Sequence, residues 1–225
     1  MEYTIAKADP KVEDFTFTVP KDLIYDGQAK SAEVEAKDGV TGMGNITVKY
    51  FKGNEQVDEA KEVGTYTVKI SVDGTGKNFN ATNTDLTKGE WKFTIGKGDQ
   101  IITVPSDKTI VKNGREVDIS GWATVAGVEG GKTPGTLSYA LNGNPIGIAL
   151  TGNMLKAEPT TTVSTFEIKA TAAATNDYNE VSRTFTVTVT NKTPASISRI
   201  TMPGWTYGES AKEPEYVKAE GAGEA

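Results

Sequence analysis

Apolar and polar residues alternate with a period of two along most of the chain. Phe15, Phe17 and Val19 are separated by Thr16 and Thr18, which puts three large side chains on one face of an extended segment. The same period recurs in Val34 and Ala36, in Ile46, Val48 and Tyr50, in Tyr66, Val68, Ile70 and Val72, and in Trp91, Phe93 and Ile95. Between these runs lie Asp26-Gly27, Asp38-Gly39, Gly42 to Asn45, Gly53-Asn54 and Asp73-Gly74, which reverse a chain at low steric cost. Short strands punctuated in this way predict a β-sandwich. Glu55 to Glu62 is the one stretch with room for a helical turn, but it is short and charged and Gly64 stops it, so a loop is expected there.

A second cycle follows Gly98. Ile101, Ile102 and Val104 open it, Val117 and Ile119 continue it, and Leu137, Tyr139 and Leu141 follow. Phe166, Ile168 and Ala170, then Phe185, Val187 and Val189, close it, with turns at Asn113-Gly114, Gly130-Gly131, Asn142-Gly143 and Thr175 to Tyr178. Repetition supports the division into units. Ile5 in Tyr3-Thr4-Ile5-Ala6-Lys7-Ala8-Asp9 and Ile95 in Phe93-Thr94-Ile95-Gly96-Lys97-Gly98-Asp99 are 90 residues apart. Tyr25-Asp26-Gly27-Gln28-Ala29-Lys30 is echoed by Tyr207-Gly208-Glu209-Ser210-Ala211-Lys212, and Lys77-Asn78-Phe79-Asn80 by Asn176-Asp177-Tyr178-Asn179.

The expected organisation is all-β: two tandem immunoglobulin-like sandwiches, over 10–98 and 99–193, with partial repeats at both ends. Residues 1–9 read as the closing strand of a preceding repeat and 194–225 as the start of a third. Thirty residues cannot bury a core of their own, so Ile197, Ile200, Met202, Trp205 and Tyr207 call for a partner, and the natural molecule is expected to be longer.

These elements in their order resemble the bacterial MBG (mostly β, glycine-rich) and related Ig-like repeats. The likeness rests on Tyr25-x-Gly27-Gln28, Val48-Lys49-Tyr50-Phe51-Lys52-Gly53, Val63-Gly64-Thr65-Tyr66-Thr67-Val68, Asn78-Phe79-Asn80 and Phe93-Thr94-Ile95-Gly96-Lys97. It covers about 14–98 and resumes at 197–219; the middle unit, 99–192, matches mainly through Asn176-Asp177-Tyr178-Asn179 and Phe185-Thr186-Val187-Thr188-Val189, and a generic bacterial Ig-like or cadherin-like unit would also fit it. The resemblance implies a spacer, adhesive or envelope-anchored segment at a bacterial cell surface or in a secreted protein, with no catalytic residues to carry over. Its implied partners are adjacent repeats and host or neighbouring-cell proteins or glycans.

Composition narrows the chemistry. With no His and no Cys, Ser-His-Asp and Cys-His triads, histidine zinc sites and thiolate sites are excluded, and an enzyme is not expected. A net charge of −6, without a basic run to neutralise phosphates, argues against nucleic acid. No apolar run reaches the roughly 20 residues that span a bilayer. Glu33 with Glu35 and Asp58 with Glu59 are carboxylate pairs, best read as solvated charge. No cofactor is expected; for calcium, Asp73, Asn78 and Asp85 are the candidate ligands in one long polar loop, although Asp and Asn are also ordinary turn residues. For an alternative role, an accessory carbohydrate-binding module, the candidates are Trp122, Tyr139 and Tyr178, which would have to form a flat exposed row. Trp91, in register with Phe93 and Ile95, belongs to the core. The short junctions Gly96 to Asp99 and Asn191 to Pro194 suggest a jointed rod.

Overall fold

The computed structural model describes residues 3–191, 197–201, 204, 207, 208, 210 and 215–218. Apart from one 3₁₀ turn at Val12–Asp14, the described residues form strands, turns and irregular segments. The chain divides into two compact units, one of Met1–Ile101, Val125–Thr136 and Ala172–Val181, the other of Ile102–Thr124, Leu137–Thr171 and Ser182–Ala225.

In the first unit, β1 (Phe15–Thr18) pairs antiparallel with β2 (Glu33–Ala36). Facing them is a four-stranded sheet of β3 (Ile46–Lys52), β4 (Glu55–Val57), β5 (Gly64–Val72) and β6 (Lys92–Ile95), in the order β4-β3-β5-β6. Alternation works as expected on β5, where Tyr66, Val68, Ile70 and Val72 are all buried while Thr65, Thr67, Lys69 and Ser71 are not. Trp91 is core, edge-on to Phe15 and stacked on Phe17. Val19, by contrast, is exposed beyond the end of β1. Glu55–Val57 is a strand rather than a loop. The Gly53-Asn54 turn folds it back onto β3 with Tyr50 opposite Val57, and cross-strand pairing supplies what local propensity lacks.

Gly64 starts β5 with φ +144°, a backbone setting that side chains disfavour, and two residues later the Tyr66 hydroxyl donates to the Glu62 carbonyl at 2.7 Å. This is the tyrosine corner that immunoglobulin-type sandwiches use to lock the entry to a late strand. Burial pushes the Tyr66 hydroxyl pKa up, so it stays a neutral donor. In Tyr25-Asp26-Gly27-Gln28-Ala29-Lys30, the Asp26 carboxylate accepts from the Gln28 N–H (2.9 Å) and from buried Lys30 Nζ (2.6 Å). The lysine bond is the main cause of the lowered Asp26 pKa.

In the second unit, β11 (Leu137–Asn142), β14 (Thr165–Ala172), β15 (Val181–Thr190) and β8 (Lys108–Val111) form one sheet in the order β11-β14-β15-β8. A three-stranded sheet of β12 (Ile148–Thr151), β13 (Met154–Ala157) and β9 (Glu116–Asp118) has the order β12-β13-β9. Matched by chain order to the strand letters of the immunoglobulin fold, these are the C-F-G and D-E-B arrangements, which makes the unit an Ig-like sandwich on topology alone. Ile110, Ile148, Leu155, Ala157, Phe166, Ile168, Ala170, Phe185 and Val187 are among the side chains it buries from the two sheets, and Ile119, just after β9, is buried with them. β8 and β15 run parallel, Lys108 opposite Val187 through Val111 opposite Thr190. β7 (Ile101–Thr103) and β10 (Thr124–Ala126) have their residues divided between the units.

Residues 3–7 lie in no strand, and the first bridge among the described residues is the parallel one of Ala8 with Phe79. Near the other end, β16 (Ile197–Thr201) pairs antiparallel with β17 (Glu215–Lys218) through a bulge. Tyr207 is fully exposed, while Met202 and Trp205 lie outside the described residues.

Candidate functional site

Asp73 directly follows β5, and its carboxylate serves the local turn. It accepts from the Thr75 N–H (2.9 Å) and hydroxyl (2.7 Å), and from the Asn45 N–H (2.9 Å) and side-chain amide (2.6 Å). The Thr75 bonds lead in holding its pKa down at about 2. Asp85 is ion-paired with Lys49 at 2.7 Å, and the Asn78 amide donates to the Thr41 carbonyl at 2.9 Å. The three calcium candidates are therefore each engaged with a different protein partner. Among the described residues no group of three or more Asp or Glu side chains converges as a cation site would need.

The aromatic candidates are also engaged. Trp122 is half-buried, with its ring tilted against Phe185 at 6.2 Å and Lys108 Nζ 5.3 Å above it. The half-buried Tyr139 accepts from the Ala123 N–H (3.1 Å) and donates to the Ser120 carbonyl (3.2 Å). Tyr178 lies in the first unit with no exposed surface, so its ring offers no face for stacking on a sugar.

What surrounds Tyr178 is a backbone clasp that occurs twice in the first unit. In one copy, the Gly98 N–H donates to the Asp177 carbonyl and the Asn179 N–H donates to the Gly98 carbonyl, both at 2.9 Å. The Asn179 amide reaches the Asp99 carboxylate at 3.1 Å, and Lys97 Nζ donates to the Thr175 carbonyl. In the other copy, the Ala8 N–H donates to the Asn78 carbonyl (2.9 Å) and the Asn80 N–H to the Ala8 carbonyl (2.8 Å). The Asn80 amide reaches the Asp9 carboxylate at 2.9 Å, and Lys7 Nζ donates to the Gly74 carbonyl at 2.8 Å. The repeated sequence elements are thus the two halves of one device. A Lys-x-Asp segment is gripped, through a parallel bridge at x, by an Asn- or Asp-aromatic-Asn loop.

The Tyr178 copy is filled. Tyr25 packs edge-on against Tyr178 with centroids 5.5 Å apart; the Tyr25 hydroxyl accepts from the Lys132 N–H at 2.8 Å, and the Tyr178 hydroxyl from the Val128 N–H at 3.1 Å. Burial raises the Tyr25 hydroxyl pKa. Lys132 also pairs with Glu62 at 3.1 Å, which raises the lysine pKa. A Cβ on Gly98 would clash with the Tyr25 carbonyl oxygen, so the gripped residue has to be glycine where Tyr25 is present. Gln100, buried beside the clasp, donates to the Ala173 (2.9 Å) and Asn179 (2.6 Å) carbonyls and accepts from the Gly135 N–H (2.8 Å). Sequence reasoning registered both motifs as repeats without joining them. Gln100, flanked by nothing periodic, gives no signal.

The sequence matches no protein-family model and no curated protein. Among solved structures the chain is similar to Drosophila N-cadherin EC1-3, at 15% identity over 72% of this chain and 60% of that one, with a TM-score of 0.30. It is also similar to Drosophila N-cadherin EC1-4, at 14% identity over 85% of this chain and 53% of that one (TM-score 0.31). A third is Drosophila OTK, extracellular domains 3-5, at 13% identity over 87% of this chain and 70% of that one (TM-score 0.29). The chain spans 60% and 53% of the length of the two cadherin chains it matches. No helix among the described residues is long and apolar enough to cross a membrane.

Proposed function

We propose that this chain is a structural or adhesive repeat segment of an extracellular bacterial protein, a spacer that projects or contributes to a binding region. Its repeats, over 10–98 and 99–193, are of the Ig-like, MBG-related kind, at the cell surface or in a secreted protein. The observation that carries this reading is the duplicated clasp. In a tandem array, the segment leaving one closing strand is held by the next repeat's loop instead of swinging free, as Gly98 is held between Asp177 and Asn179.

Strand geometry supports a load-bearing role. β8, near the start of its repeat, and β15, at its end, are parallel, so tension drawn between the repeat's ends pulls them in opposite directions along their length. Their hydrogen bonds then share the load in shear rather than opening one by one. The single parallel bridge of Ile24 with Gly96 places the first repeat's early and closing segments in the same relation.

Stretching the full chain between a bead and a surface tests this reading. Stepwise lengthening is expected, with each event releasing a repeat of about 90 residues and hence roughly 300 Å of contour. Smooth extension without steps would exclude a force-bearing spacer.

A further inference from the structure

The outer strands of the second unit's two sheets are not alike. β8 carries Lys108, and β9 carries Glu116 and Asp118, charges of the kind that keep a free strand edge from pairing with another chain. β11 and β12 carry no charge and no proline. They flank one side of the sandwich, because the short connection from Gly143 to Gly147 leads directly from one to the other, and Ile146 in that connection is exposed. β11 is the longer of the two, and among the described residues no strand pairs with its side away from β14. Three contacts share one register between β11 and β14: the Ala173 N–H donates to the Thr136 carbonyl (3.0 Å), the Ser138 hydroxyl to the Thr171 carbonyl (3.4 Å) and the Asn142 amide to the Glu167 carboxylate (2.6 Å). In that register the backbone groups of Ser138, Ala140 and Asn142 turn toward β14, and those of Leu137, Tyr139 and Leu141 turn to the unpaired side.

The sequence of β11 is nearly symmetric about its tyrosine. Leu137-Ser138-Tyr139-Ala140-Leu141 has a leucine at each end and a small residue on either side of Tyr139. We infer that β11 is the seam of a twofold-symmetric pairing with β11 of a second copy of this chain. When the two strands run antiparallel about Tyr139, the outward N–H and C=O groups of Leu137, Tyr139 and Leu141 meet those of Leu141, Tyr139 and Leu137 in the second copy, giving about six backbone hydrogen bonds. Side chains then match by face. Leucine meets leucine and tyrosine meets tyrosine on the core side, where all three residues are half-buried, and Ser138 meets Ala140 on the outer side, where both are exposed. No like charges face each other across this seam, whereas β9 paired with itself about Val117 sets Glu116 against Asp118. The surface is its own complement, so the contact closes as a dimer instead of propagating. A seam of one short strand belongs to the weak, transient class of interfaces. It rests on the free edge of β11 and not on the spacer reading, so either can fail alone.

Sedimentation equilibrium of the full chain from micromolar to millimolar concentration tests the pairing, with amide hydrogen exchange followed over the same range. A monomer–dimer equilibrium is expected, and exchange at Leu137, Tyr139 and Leu141 should slow as the dimer forms while exchange along β9 does not change. Ser138 and Ala140 are exposed, so both can be replaced without touching the core. Ser138→Glu combined with Ala140→Glu sets glutamate against glutamate at two places across the seam and should weaken the dimer roughly tenfold. Ser138→Glu combined with Ala140→Lys sets glutamate against lysine at the same two places and should restore it. Unchanged β14 and β15 amide resonances would report an intact fold in both variants. A chain that stays monomeric at millimolar concentration, a dimer that the two variants affect equally, or slowed exchange along β12 in place of β11 would overturn the proposal.

Discussion

At the scale of single residues, hydrogen bonding decides what the polar side chains are for. Asp73 is an acidic loop residue of the type that binds cations, yet its oxygens accept four bonds from Thr75 and Asn45. Those bonds favour the carboxylate, so the folded pKa of about 2 lies below the ordinary 3.8. The stabilisation is thus fully present above pH 3.8 and disappears as pH falls through the folded value. A carboxyl titration followed by NMR should give Asp73 a midpoint near 2, and Asp73→Asn should flatten the loss of stability between pH 3.8 and 2. A midpoint at the ordinary value would mean that the turn does not form as described.

At the scale of elements, alternation and turn chemistry made most strands legible. Asp-Gly and Asn-Gly dipeptides at 26–27, 38–39, 73–74, 113–114 and 142–143 all carry their glycine at positive φ. The β12–β13 hairpin went unread although Gly152-Asn153 joins its strands, because Ile148 to Ala157 contains few β-branched residues. Gln100 shows what pattern cannot reach. It serves backbone groups of Gly135, Ala173 and Asn179, between 35 and 79 residues away. Gln100→Ala would leave these groups buried without a partner, and is expected to cost about 3 kcal/mol in a denaturant melt. A loss below about 1 kcal/mol would show that water replaces the amide.

At the scale of the whole molecule, the compact units do not follow the linear repeats. Val125–Thr136 and Ala172–Val181 lie, by sequence, inside the second repeat, yet they belong to the first unit, gathered around Tyr25 and Tyr178. Truncating Tyr178 should therefore be felt far from it in sequence. In Tyr178→Ala, faster hydrogen exchange is expected at Gly98, Val128 and Lys132, with the β12–β13 hairpin unchanged, because a buried aromatic contributes about 3–5 kcal/mol where it packs. Uniformly faster exchange would point to one cooperative unit instead.

Sequence alone determined the strand pattern, the turn positions, the tandem repetition and the exclusion of histidine and cysteine chemistry. Each of these depends on residue type or on spacing within a few positions. Tertiary structure decided which loops become clasps, which polar residues are consumed by them, that β8 runs parallel to β15, and that Tyr25 fills the clasp around Tyr178. These rest on contacts such as Asp9 with Asn80 and Tyr25 with Lys132, separated by 71 and 107 residues. No local period encodes such pairings, because they are set by how two sheets close over a shared core.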